Sequence, residues 1–170
     1  MDGLLNETDN FILLTRSFLY SAVYTCSTTI QEAVAVGFET ELARFGSNES
    51  YWKQLSDSLQ VKRDKMAKFL AEAEMKPIIP SGGYFMLADY TKLASKLGDG
   101  IDREKPGATK DYQFVYYMTK NKGIQGIPPS AFYSEEHKRL GENFVRYCFM
   151  KKDETLDEAE RILKNVKNSL

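Results

Sequence analysis

The stretch that most limits the architecture is residues 144–150, FVRYCFM. Aromatic, β-branched and long apolar residues follow one another there without a glycine or proline, the composition of a strand. On an extended backbone Val145, Tyr147 and Phe149 share one face, and Arg146, Cys148 and Met150 share the other. Such a strand needs neighbours and a covered apolar face to be stable. Residues 84–90 (YFMLADY), which follow a Ser81-Gly82-Gly83 turn, supply a second strand. Residues 76–80 (KPIIP) are held extended by their prolines, and residues 123–128 (GIQGIP) read as a short strand that leaves at the prolines.

Helices must provide the cover. Residues 50–74 carry an apolar stripe of Leu55, Leu59, Met66, Phe69, Leu70 and Ala73, with Lys62, Lys65 and Lys68 on the wet side. An earlier helix over residues 29–45 shows Ile30, Val34, Phe38, Leu42 and Phe45 near helical spacing, and stops at Gly46-Ser47-Asn48. Residues 92–110, rich in glycine and charge, read as a short helix and an exposed loop. Asp111 is placed to cap a helix running to about residue 121, with Phe114, Val115 and Met118 inward. The final helix opens on the capping-box pattern of Thr155 and Glu158, followed by Leu156, Ala159, Leu163, Val166 and Leu170 at steps of three and four. The expected fold class is α+β: a small, largely antiparallel sheet with helices packed on one face. The expected organisation is a leader over residues 1–17, a connecting segment and helix over 18–50, and one domain over 51–170.

Several function classes are disfavoured. A formal net charge of -1 gives no reason to expect nucleic acid or an anionic membrane as partner. The apolar run of residues 11–14 is broken at Thr15 and Arg16 and preceded by Asp2, Glu7 and Asp9, which suits neither a signal peptide nor a membrane span. Cys26 and Cys148 are far apart and read as two buried thiols in a reducing compartment, which points to the cytoplasm. His137, the single histidine, lies in a polar stretch, so no zinc site is expected. Ser130 lacks a nucleophile-elbow context, and Gly82-Gly83-Tyr84 lacks nucleotide-motif spacing and reads first as a turn.

Arg146 stands out on chemistry alone. A guanidinium inside an apolar strand must find an anion or bear a desolvation cost. Its planar fork suits a carboxylate bidentately. That carboxylate could belong to a ligand or to a structural acid, and the residues alone favour the structural acid.

Five blocks add a further signal: residues 27–38 (STTIQEAVAVGF), 76–89 (KPIIPSGGYFMLAD), 112–122 (YQFVYYMTKNK), 127–133 (IPPSAFY) and 144–157 (FVRYCFMKKDETLD). In this order they closely resemble the C-terminal part of kynurenine aminotransferases, also called cysteine-conjugate β-lyases or glutamine transaminase K, of the class I/II, fold-type-I pyridoxal-phosphate enzymes. The resemblance covers roughly residues 18–170; the leader does not resemble the family segment that should precede it. It implies the small-domain fold of those enzymes and makes Arg146 the grip on the substrate's α-carboxylate. It implies that Tyr24 and Thr25 line the substrate pocket, often across a dimer, with Thr25 departing from relatives that carry histidine. Tyr84 is a weaker pocket-lining candidate.

The resemblance also implies what lies elsewhere. Pyridoxal 5'-phosphate, its aldimine lysine, the aspartate on its pyridine nitrogen and most phosphate-binding groups belong to the remainder of the parent enzyme. No catalytic residue, bound cofactor or metal is therefore expected in this chain. The parent is expected to pass an amino group from kynurenine or glutamine to a 2-oxo acid, in the cytoplasm or, alternatively, the mitochondrion. This chain alone is expected to be inactive, and either to form a homo-oligomer or to dock onto a full-length subunit. The alternative is a non-catalytic short isoform serving as an interaction module.

Overall fold

The computed structural model describes residues 12–18, 26–98, 100–101 and 105–170. The chain divides into two compact units, Met1–Gln54 and Leu55–Leu170.

In the first unit residues 12–18 are helical. Helix α1 (Thr28–Ala43) follows an extended Ser27 and ends through Arg44 in turns. Gly46 there adopts a positive φ of 80°, the left-handed region that glycine occupies without strain. The apolar residues of α1 repeat as expected, yet none is buried. Helix α2 (Tyr51–Glu72) begins in this unit. Its first turn is satisfied from α1: Glu41 Oε2 accepts the Tyr51 N–H at 2.7 Å and the Ser50 hydroxyl at 3.2 Å. Phe38 and Trp52 stack with ring centres 6.0 Å apart.

The second unit holds the sheet. Strands β1 (Lys76–Ile78), β2 (Phe85–Asp89) and β3 (Phe144–Cys148) run antiparallel in the order β1-β2-β3. Pro77 of β1 stands opposite Ala88, Leu87 of β2 opposite Arg146, and Phe85 opposite Cys148. Helices α3 (Thr91–Leu97), α4 (Lys110–Tyr117) and α5 (Asp153–Asn168) belong to this unit too, with shorter helical turns at Met118–Lys122, Pro129–Phe132 and Glu135–Leu140. Met86, Ala88, Val145 and Tyr147 are buried together with Met66, Phe69 and Leu70 of α2, Phe114 of α4 and Leu156 and Leu163 of α5. The alternation read from the sequence thus places the core on one sheet face and leaves Phe85 and Arg146 on the other, partly open face.

Four local expectations change. The strand over residues 123–128 reduces to one bridge, Ile127 with Arg146. Gly123 has a φ of 78°, and Pro128 and Pro129 have no N–H to extend the ladder. Asp111 is not the cap of α4; Thr109 stands there without a side-chain capping bond, and Asp111 lies within the first turn. The Thr155 capping box does not form, because α5 already begins at Asp153; Asp153 and Glu154 suit its positive end. Lys68 is exposed as expected, but Lys62 donates to the Lys151 carbonyl at 2.5 Å and Lys65 pairs with Asp157 of α5.

Helix α2 closes with Glu74 at a positive φ of 62°. Met75 N–H bonds the Leu70 carbonyl at 3.0 Å, which turns the chain into β1.

Candidate functional site

Arg146 is fixed at its backbone from both sides. It lies opposite Leu87 in the ladder, and it exchanges two hydrogen bonds with Ile127, at 2.9 and 3.0 Å. The side chain emerges on the partly open sheet face. Its guanidinium carbon lies 4.3 Å from the centre of the Phe85 ring and 4.5 Å from the centre of the Phe132 ring. Phe85 reaches it because diagonal neighbours on one sheet face are within range of an aromatic side chain. Phe132 comes from a 3-10 turn, Pro129–Phe132.

The structural acid does not exist among the described residues: no carboxylate lies within ion-pair distance of Arg146. Its Nε is shut off from solvent and donates to no group there. Two rings can stabilise a cation through their faces. They cannot accept its in-plane N–H groups, so the rim of the fork remains available to a carboxylate. Arg146 also borders a cleft of about 630 Å³ between α2, residues 123–127 and α5, with Met66, Phe69, Ala159 and Ile162 in its walls. Next to Arg146 in β3, burial pushes the Tyr147 phenol far up from its usual pKa, so this hydroxyl stays neutral.

Tyr84 is half exposed, and its carbonyl accepts the Phe149 N–H at 3.0 Å; the aromatic contact with Arg146 comes from its neighbour Phe85. Tyr24 and Thr25 lie outside the described residues. Phe85 and Phe132 are the site residues that sequence reasoning missed. Phe85 could have been found from the register, two places along β2 from the residue facing Arg146; Phe132 carries no such signal.

His137 is exposed and shares a hydrogen bond with Ser134 at 2.8 Å, as a solvated residue would. No cluster of metal-binding side chains and no helix long and apolar enough to cross a membrane occur among the described residues. A lysine that forms Schiff bases is normally desolvated or set beside another cation. No described lysine is buried. The two with shifted basicity, Lys65 and Lys164, are pushed up by their hydrogen bonds to Asp157 and Glu160. Among the described lysines, none is thus desolvated in this chain in the way such a position asks for.

Comparison with known proteins places this geometry in context. The family model for aminotransferase class I and II matches residues 11–163. Kynurenine–oxoglutarate transaminase 3 of Homo sapiens is 45% identical over 144 residues, covering 85% of this chain and 31% of the relative. Kynurenine–oxoglutarate transaminase 1 of Mus musculus is 36% identical over 164 residues, covering 95% of this chain and 38% of the relative. The chain thus spans about a third of the length of these relatives. Among solved structures, Bna3p of Saccharomyces cerevisiae superposes with a TM-score of 0.74 at 23% identity, over 98% of this chain and 38% of that one. N-Succinyldiaminopimelate aminotransferase of Mycobacterium tuberculosis does so with a TM-score of 0.66 at 26% identity, over 93% and 35%.

Proposed function

This chain belongs to the aminotransferase class I and II family, and from that premise we propose that it is the part of a pyridoxal-phosphate-dependent aminotransferase that grips the substrate carboxylate through Arg146. The donor would be an amino acid such as kynurenine or glutamine, and the acceptor a 2-oxo acid. Both kinds of molecule carry the same carboxylate next to the reacting carbon. One fixed fork can therefore hold either, and orient it for the amino-group transfer. The observation that carries the reading is the unpaired guanidinium between Phe85 and Phe132, with its Nε buried and without an acceptor among the described residues.

Because no described lysine is desolvated in the way an aldimine position asks for, we assign cofactor attachment to the remainder of the parent enzyme, and expect no turnover from this chain alone. Two assays test the reading. With pyridoxal phosphate, L-kynurenine and 2-oxoglutarate, the purified chain should form no more product than a heat-killed control. In nuclear magnetic resonance spectra, the Arg146 Nε–H signal should move on addition of L-phenylalanine and stay in place with phenethylamine, which has the ring and amine but no carboxylate. An Arg146 signal indifferent to both would remove the clamp.

A second reading has support of its own. Ile30, Val34, Phe38 and Leu42 of α1 each expose half or more of their surface. Such a face suits docking onto another subunit, and a chain of this kind could act as a non-catalytic interaction module. The visible absorbance of a bound aldimine after mixing with pyridoxal phosphate would exclude that reading. Cys26 is exposed rather than buried, and Cys148 is half-buried. A cytoplasmic setting is proposed from these two free thiols, and subcellular fractionation decides it against the mitochondrion.

A further inference from the structure

Asp111 is fully buried, and both of its oxygens are engaged by a residue far along the chain. Oδ2 accepts the Ser130 N–H at 2.7 Å and Oδ1 accepts the Ser130 hydroxyl at 2.8 Å. Oδ1 also takes the N–H of Tyr112 at 2.9 Å, and Thr109 Oγ1 lies 3.0 Å from Ser130 Oγ. No cation among the described residues pairs with this acid. A buried carboxylate is costly in a core, and stripping it of its donors costs more.

What it secures is the Pro129–Phe132 turn. On another side the turn meets Gly141, where an added Cβ would lie 2.8 Å from Ser130 N, so backbone packs directly on backbone. The turn ends in Phe132, a residue 63% exposed. With so little packing of its own, the ring keeps its place over Arg146 only through the turn that carries it. Phe85, in contrast, is held in the ladder of β2. The two faces of the guanidinium thus have different anchors: one in the sheet, one in the Asp111–Ser130 contact.

We propose that Asp111 is a positioning residue for Arg146, acting through Ser130 and the Phe132 ring to set the plane of the guanidinium. This rests on the reading of Arg146 as a carboxylate clamp. Asp111 itself touches no substrate. Its carboxylate fixes the direction in which the fork opens, and so the pose of any carboxylate that the fork takes.

The test reads the Arg146 Nε–H resonance of the whole chain and its exchange with water. In the unaltered chain this proton should be displaced by the ring currents of two phenylalanines and should exchange slowly. Asp111→Ala should move it toward the position of a free arginine and speed its exchange. Asp111→Asn should do so less, because an amide oxygen still accepts the Ser130 N–H and its NH2 can donate to Ser130 Oγ. Phe132→Leu removes only the exposed ring and should reproduce the Asp111→Ala change, so it carries the test even if Asp111→Ala does not fold. In parallel, the affinity for L-phenylalanine should fall about three- to tenfold in Asp111→Ala and Phe132→Leu. An Arg146 signal unchanged in Phe132→Leu, or in a folded Asp111→Ala, overturns the proposal. A signal that follows the Asp111 series without any response to L-phenylalanine supports the positioning and defeats the clamp. A response to L-phenylalanine with a signal indifferent to Asp111 does the reverse.

Discussion

Removal of the Arg146 side chain distinguishes a clamp from a structural arginine by the size of the stability loss. Arg146→Ala deletes contacts with two rings, Phe85 and Phe132. Each is worth about 0.5–1 kcal/mol at a partly exposed site. Nothing is stranded, since no carboxylate among the described residues depends on this guanidinium. The change also deletes a buried Nε–H that has no acceptor there, which offsets part of the loss. The expected cost is therefore about 1–2 kcal/mol at most. With a urea slope of about 2 kcal/mol/M, the midpoint should fall by about 0.5–1 M. Breaking a buried ion pair would cost about 3–5 kcal/mol and move the midpoint by about 1.5–2.5 M. Urea melts followed by circular dichroism separate the two, and a loss above about 3 kcal/mol would refute the argument. In the parent enzyme the same substitution should weaken substrate binding by about ten- to a hundredfold, as one charge-assisted contact is lost. Arg146→Lys should recover only part, because an ammonium has no fork.

Gly126→Ala should cost about 1–3 kcal/mol in the same melts, because the new Cβ would lie 2.4 Å from Val145 Cγ2 and 3.1 Å from Tyr147 Cε1. Glu74→Gly should be neutral or stabilising by up to about 1 kcal/mol: it relieves a left-handed non-glycine residue at the end of α2, while the Lys96 pair it removes is partly exposed. Acidification should lower the melting temperature below the ordinary glutamate value of 4.5, since Glu74 and Glu158 are held below it by hydrogen bonds from Lys96 and Arg161. Their contribution is complete above that value and is lost as the pH falls through the depressed one; a double Glu74→Gln, Glu158→Gln variant should show a shallower acid limb. Sedimentation at rising concentration should show self-association that weakens on Val34→Glu and Phe38→Glu; a strictly monomeric species at high concentration would contradict it.

Much of the fold was legible because it rests on local periodicity. The alternation of residues 144–150 gave β3 its buried face, and the stripe of Met66, Phe69 and Leu70 gave α2 its own. The errors arose where a side chain serves a distant part of the chain. Asp111 reads as a cap from its neighbours, but its acceptors meet Ser130, which no local pattern reveals. Arg146 was legible as a residue needing an anion. Its aromatic slot was not, since Phe132 arrives there by way of a turn fixed from α4.

Pro77 also bears on how this molecule behaves in crowded solution. A free sheet border can recruit strands from other chains, and repeated recruitment leads to fibrils. In this sheet β1 forms one border, and it is three residues long with a proline at its centre, at a position where a recruited strand would otherwise find an N–H donor or a regular pleat. Beyond β3 the pairing ends after Ile127 at a pair of prolines, Pro128 and Pro129. Both borders are thus poor templates. A Pro77→Val substitution would preserve the β1–β2 pairing while making the outer border a better one, and thioflavin-positive aggregation should rise with little change in the melting temperature.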